Sequence, residues 1–233
     1  MNVLALDTAT ATQSVALMLD DELVASRSTR TGRGGHSRDL LEAIAAVLRG
    51  HGVSVRDLDG IGVGVGPGSF TGVRIGLAVA KGLAASEDIP LHPVTSERSL
   101  SASLPCGLTV AWAEDARKGE LYAACTTSGL DAEELLPLDT WTPESFARAV
   151  SELPAVRELY WAGNGPAAHP SLLDQVLPGS RNLSSIIPGP DARGIARLVC
   201  ARRIAGYPAS GVDARYIRPS EAELGRPGAH RAR

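Results

Sequence analysis

Cysteine, lysine and aromatic side chains are scarce in this 233-residue chain. Its three cysteines, Cys106, Cys125 and Cys200, are widely and irregularly spaced, with no Cys-x-x-Cys. That argues against a secreted disulfide framework and favours a reducing, cytoplasmic setting. Aromatics make up 4% and are not interleaved with basic residues, so no platform for stacking single-stranded nucleic acid is present. Of 23 basic residues only Lys81 and Lys118 are lysine, a skew read as codon bias. Positive charge is not in excess either. The formal charge of −3 argues against a dedicated nucleic-acid binder. No apolar run approaches the ~20 residues of a membrane span. The start, Met1 to Asp7, lacks the basic region of a signal peptide.

What is present is ordinary for a globular protein: 44% hydrophobic and 21% charged residues. At ~100–200 residues per domain, the length allows one large domain or two small lobes. Val3–Leu6, Ser14–Leu19 and Leu23–Thr29 read as three antiparallel strands joined by tight turns. After a glycine-rich loop, Thr31 to Gly35, Ser37 is placed to cap a helix through Leu48 with a stripe of Leu40, Leu41, Ile44, Val47 and Leu48. Ile61–Val65 reads as a buried strand, followed by a helix to about Ala85 and a strand at Leu91–Val94. The second half restarts the pattern. Strands are expected at Leu108–Ala113 and Glu120–Thr126, with a charged turn, Glu114 to Gly119, between them. A helix opens at Thr142-Pro143-Glu144, a strand follows at Leu159–Ala162, and Asp191–Ala205 reads as a helix. The expected organisation is a lobe at 1–103, a second at 104–218 whose last helix could pack back on the first, and a loose tail at 219–233.

Gly64 to Gly82 is the most informative stretch, because a glycine turn between strand and helix can cradle a phosphate. No glycine here is followed by Lys and then Ser or Thr, so it is not a Walker A loop. Ser69 or Thr71 stands where a dinucleotide fingerprint needs its third glycine, and Pro67 and Thr71 flank Ser69 where a nucleophile elbow needs glycines. What does fit is close packing. Gly72, Gly76 and Ala80 fall four apart on one helix face. That face suits either the domain's own sheet or a partner helix.

The five histidines, His36, His51, His92, His169 and His230, include no pair at zinc spacing. No nucleophile–base pair suggests peptidase chemistry. His36 suits a helix-start hydrogen bond or an interface contact. Arg27, Arg30, Arg33 and Arg38 form a basic run, read as a solvated loop or as a contact for an acidic surface. Arg193, Arg197, Arg202 and Arg203 read as a solvated helix face. Trp112, Trp141 and Trp161 are expected to anchor the core or the lobe boundary.

Leu4-Ala5-Leu6-Asp7-Thr8-Ala9-Thr10, His36 before a Leu-rich helix, and Gly66-Pro67-Gly68-Ser69-Phe70-Thr71-Gly72 followed by Val73 to Ala78 together resemble the TsaB (YeaZ) family. Asp115 to Tyr122 and Tyr216-Ile217-Arg218 add to the likeness, which spans residues 2 to about 218 and is loose at 130–190. The resemblance implies an actin-like (ASKHA, ribonuclease H-like) two-lobed α/β fold, each lobe a three-stranded meander followed by βαβα. It implies a role in making N6-threonylcarbamoyladenosine in ANN-decoding tRNAs, as a non-catalytic scaffold for the related transferase TsaD. A TsaE-type ATPase is a further partner, and TsaC supplies the threonylcarbamoyl-adenylate donor. The chain would meet tRNA only through the complex, with the basic run near Arg30 as one candidate contact, and would pair with itself when alone.

The resemblance also assigns residues. Partner contacts are expected from His36, Leu40, Leu41, Ile44, Gly72, Arg74, Ile75, Gly76, Val79 and Ala80. Gly66, Pro67, Gly68, Ser69, Phe70, Thr71, Asp115 and Arg117 would be structural, and Asp7 and Thr8 a vestigial phosphate turn. No catalytic residue, cofactor or metal is expected. Ser96 and Leu100 stand where TsaD-like chains carry a metal-binding His-x3-His pair, and Glu114 to Lys118 would repel and crowd out phosphates. The alternative is an ATP- or metal-dependent enzyme on this fold, glycoprotease-like or kinase-like. Its marks would be a metal pair or an open phosphate turn.

Overall fold

The computed structural model describes residues 1–30, 36–153, 158–171 and 180–217. Strands β1 (Val3–Asp7), β2 (Thr12–Leu19) and β3 (Glu22–Arg30) form an antiparallel meander. The β2–β3 turn places Asp20 and Asp21 at φ 51° and 65°, the left-handed pair that tight hairpins require. Helix α1 (His36–Gly50) leads to β4 (Gly60–Gly64), and α2 (Phe70–Glu87) leads to β5 (Leu91–Val94). β4 and β5 run parallel to β1, giving the order β3-β2-β1-β4-β5.

Helix α3 (Ser96–Ser103) carries the chain to a second sheet. This comprises β6 (Thr109–Arg117), β7 (Glu120–Thr127) and β8 (Glu134–Trp141), then α4 (Pro143–Ser151), β9 (Leu159–Ala162), the short α5 (Gly165–Ala168) and β10 (Arg181–Asn182). From its β8 edge the order is β8-β7-β6-β9-β10, the same succession as in the first sheet. Two lobes of this repeated topology make the actin-like α/β fold. A last helix, α6 (Ala192–Cys200), returns to the first lobe.

Strand alternation explains the layering. Ile61 and Val63 of β4 point into a core with Leu4, Leu6, Leu17, Leu40, Ile44, Leu77 and Ala80 under α1 and α2. On the opposite face a Cβ at Gly62 would overlap Ile195 of α6. Glycine there lets α6 seat Ala192, Ile195, Leu198 and Val199 on Val3, Ala5, Ala16 and Met18. α6 in turn crosses α3, where a Cβ at Gly194 would run into the Ser99 carbonyl. Leu100 and Leu104 carry the stack to Trp112, Ala124 and Leu138 of the second sheet. The other face of that sheet is sealed by Phe146, whose ring lies 6.0 Å from Trp161 and 5.6 Å from Trp141.

Four sequence expectations change. Glu114 to Arg117 is strand, not turn; the reversal is made by Arg117, Lys118 and Gly119 at φ 66°, 58° and 78°. β8 was not anticipated, because Pro137 interrupts its pattern; β8 is an edge strand, where proline is tolerated. α3 was not anticipated as a helix, being rich in serine. α6 stops at Cys200 and not Ala205. Arg202 at φ 55° and the bonds from Arg202 N to Val199 O and Arg203 N to Leu198 O close its end. The expected tail at 219–233, Arg33, and the side chains of His36 and Arg38 lie outside the described residues.

Candidate functional site

The Gly66–Gly72 loop fits against the Asp7–Thr10 turn. A Cβ at Gly68 would overlap the Ala9 carbonyl, and one at Gly72 the Thr8 carbonyl. Ser69 N donates to Ala9 O at 2.6 Å, and Thr8 Oγ1 donates to Gly72 O at 2.7 Å. Ser69 caps α2 by accepting from Gly72 N at 3.2 Å. The glycine loop therefore packs closely on one side of this turn, with Asp7 and Thr8 wholly buried, while Thr10 to Thr12 at its other end line an open cleft. Asp7 Oδ1 accepts from Ala9 N at 2.8 Å, while Oδ2 is buried without a partner among the described residues. Burial pushes the Asp7 carboxyl up to about 7, against the opposing pull of the Ala9 amide.

Ser96 and Leu100 do not form a metal site. Ser96 donates to Pro67 O at 2.7 Å, and Leu100 packs between the lobes. Among the described residues no group of three or more His, Cys, Asp or Glu is placed to hold a metal ion.

The second lobe contributes Glu114 and Asp115 at the end of β6. Asn164, after β9, bridges them: its Nδ2 donates to Glu114 Oε1 at 2.7 Å, and its Oδ1 accepts from Asp115 N at 2.7 Å. Burial raises the Glu114 carboxyl to about 7. Asp115 accepts from Arg117 N at 2.8 Å and pairs with its guanidinium at 3.3 Å, so both residues close their own hairpin. The sequence reading missed Asn164; the Gly163-Asn164-Gly165 turn was the available signal.

The expected partner-contact residues divide. Leu40 and Ile44 are core residues. Gly72, Gly76 and Ala80 are buried, and a Cβ at Gly76 would overlap Thr8 Oγ1. The small-residue face is thus taken by β1 and its turn, which corrects the assignment of these five residues to a partner. Leu41 (49% exposed), Arg74, Ile75 and Val79 remain outward or half-buried. They are joined by Phe70, which is 44% exposed. Arg74 lies over the Phe70 ring, 3.7 Å from its centroid, and its Nε donates to Tyr216 Oη at 2.8 Å. Tyr216 belongs to a C-terminal strap held by Arg215 N to Val65 O at 2.9 Å, a Lys81–Asp213 pair at 3.1 Å and the buried Val212. Tyr216→Phe should cost about 1 kcal/mol by removing one exposed charge-assisted bond; a urea midpoint unchanged from the parent would show that the bond is idle.

Between the lobes lies a cleft of 430 Å³ lined by residues that include Thr10, Thr12, Ser28, Arg30, Asn164 and Ser184.

A family model for TsaD, tRNA N6-adenosine threonylcarbamoyltransferase, matches residues 30–137. The tRNA threonylcarbamoyladenosine biosynthesis protein TsaB of Bacillus subtilis is 32% identical over 183 residues, covering 76% of this chain and 77% of that protein. The TsaB protein of Haemophilus influenzae is 29% identical over 188 residues, covering 77% and 79%. The structure of YeaZ from Pseudomonas aeruginosa superposes with a TM-score of 0.78 at 27% identity, covering 92% of this chain and 99% of that one. With the repeated five-stranded topology and the glycine loop packed on the first turn, these likenesses show that the chain belongs to the TsaB family of tRNA threonylcarbamoyladenosine biosynthesis proteins.

Proposed function

We propose that the chain is a non-catalytic subunit in tRNA threonylcarbamoyladenosine synthesis, supporting a TsaD-type transferase in the cytoplasm. The observation that carries this reading is the Asp7–Thr10 turn, where Gly68 and Gly72 press on Ala9 and Thr8 and Asp7 is wholly buried. A buried carboxyl there and Glu114 on the cleft lining disfavour a triphosphate, so the chain by itself is expected to hydrolyse no ATP. The TsaE-type ATPase is a separate partner, and tRNA is met through the assembly. The decisive experiment is reconstitution of tRNA threonylcarbamoylation from TsaD, TsaE and TsaC proteins with and without this chain. Modification that requires the chain, together with no ATPase activity of the chain alone, is the expected result. Equal modification without it overturns the reading.

The docking face is the outward side of α1 and α2. Leu41, Phe70, Ile75 and Val79 offer apolar surface there, with the Arg74 guanidinium over the Phe70 ring and Tyr216 beside it. Exposed aromatic and arginine anchors are the side chains that dominate interfaces. The TsaD family model spans both helices, so a TsaD-type partner has a related pair to offer, and pairing is nearly two-fold. The same face serves a homodimer when TsaD is absent. Leu41→Glu, at a position 49% exposed, should weaken association at least about a hundredfold while leaving the fold intact. Sedimentation equilibrium with TsaD checks this, and undiminished association would move the interface elsewhere.

A further inference from the structure

One flank of α2 faces the C-terminal strap. Arg74, Ala78 and Lys81, spaced four and three residues apart, share that flank. Between it and the strap opens a groove of 540 Å³. Leu77, Ala78 and Ala214 give the groove apolar walls, and its polar groups belong to Arg74, Tyr216, Lys81 and Asp213. The strap is not a loose lid. Its Tyr207 exchanges backbone bonds of 2.8 and 2.9 Å with Leu91 of β5, Val212 is sunk in the first-lobe core, and Arg215 N donates to Val65 O. Tyr216 is therefore delivered to α2 on a fixed backbone.

The two cations of the groove differ. Lys81 Nζ is neutralised by Asp213 at 3.1 Å. Arg74 is exposed and has no ion pair among the described residues. Its guanidinium lies 3.7 Å from the Phe70 ring centroid, and its Nε donates to Tyr216 Oη at 2.8 Å. One face is thus stacked and one nitrogen anchored, while the two terminal nitrogens make no hydrogen bond among the described residues. A planar pair of N–H donors matches a carboxylate bidentately. Holding the pair in place beforehand lowers the ordering cost of binding. A single open cation suits a single carboxylate, since a longer acidic tract would meet Asp213. We propose that this groove receives one Asp or Glu side chain of the transferase partner, seated on Arg74, with Tyr216 positioning the guanidinium. The seat adjoins the α1–α2 docking face at Phe70 and rests on that reading of the face.

Dissociation kinetics of the full chain from a purified TsaD-type transferase test it. Arg74→Ala should speed dissociation at least about thirtyfold. Arg74→Lys keeps the charge but loses the fork, and should speed it about tenfold. Tyr216→Phe keeps the ring and removes the anchor, and should speed it about threefold. In the Arg74→Ala background Tyr216→Phe should add nothing, which a merely structural role for Tyr216 would not produce. Arg148→Ala, on the exposed side of α4 in the second lobe, should leave the rate unchanged. If Leu41→Glu disrupts association while Arg74→Ala dissociates like the parent, the carboxylate seat is overturned and the docking face stands. Indifference to Leu41→Glu as well removes the face and the seat together. Additive effects of Tyr216→Phe and Arg74→Ala overturn the positioning role. Loss of tRNA from the assembled complex in Arg74→Ala, with protein dissociation unchanged, also overturns the proposal, by making the groove an RNA contact.

Discussion

Gly76→Glu is expected to yield no folded protein. A Cβ at this position already overlaps Thr8 Oγ1, with Leu6 Cδ1 3.6 Å away. The remaining atoms of a glutamate would lie between α2 and β1, in a space closed to water. Forced overpacking costs about 1–3 kcal/mol, and an unpaired carboxylate taken from water adds several more. The sum rivals the whole stability of an ordinary domain, about 5–15 kcal/mol. Leu41→Glu, at a position of α1 that is 49% exposed, is the control and should fold normally. Far-ultraviolet circular dichroism and gel filtration of both variants decide the matter. A folded Gly76→Glu protein that merely fails to associate would return the small-residue face to a partner.

The second large effect is one of pH. In the unfolded chain the Asp7 carboxyl ionises near 3.8, and in the fold near 7, because burial opposes its charge. The folded state is the one with the raised value, so between these pH values it keeps a proton that the unfolded state has lost. Stability from this group is complete below about pH 4 and is lost as pH rises toward 7. A shift of about 3 units corresponds to roughly 4 kcal/mol. Asp191 and Glu114 act in the same direction, since their charges repel an ionised Asp7. Asp7→Asn should therefore remove most of the fall in stability between pH 4 and pH 8. At pH 8 the variant should exceed the parent by several kcal/mol in urea unfolding. Glu114→Gln should do the same on a smaller scale, about 3 kcal/mol, since Glu114 is raised from 4.5 to about 7. Parallel pH profiles for parent and variants would rule out buried, protonated carboxyls.

The first lobe was legible in the sequence wherever local signals and burial agree. Ile61 and Val63 alternate with glycines, and the Asp20-Asp21 turn separates two apolar runs, so strands and turn could be assigned without tertiary knowledge. The spacing of Gly72, Gly76 and Ala80 announced a close approach, but not what approaches. That depended on a turn about 60 residues earlier. α3 defeats propensity because Ser96, Ser99 and Ser101 are buried and individually satisfied. Ser96 bonds to Pro67 O, Ser99 exchanges bonds with Asp191, and Ser101 bonds to Glu97 O and to Thr126 at 2.7 Å. Such partners come from distant sequence and leave no periodic trace. The raised carboxyls of Asp7 and Glu114 were illegible for the same reason: an isolated sequence shows a charge, and only the fold removes its water. The cleft escaped notice too, because its lining is assembled from both lobes.

The return of α6 to the first sheet bears on how the chain is made. Val3, Ala5, Ala16 and Met18 wait for Ile195, Leu198 and Val199 to cover them. A ribosome adds about 5–20 residues per second, so the bare face stands open for roughly 5–20 s while residues 95 to 200 are polymerised. The nascent chain thus exposes a sticky, strand-rich surface throughout synthesis of its second half. A chain truncated before α6 is therefore expected to keep this apolar face exposed and to aggregate, where the full chain does not.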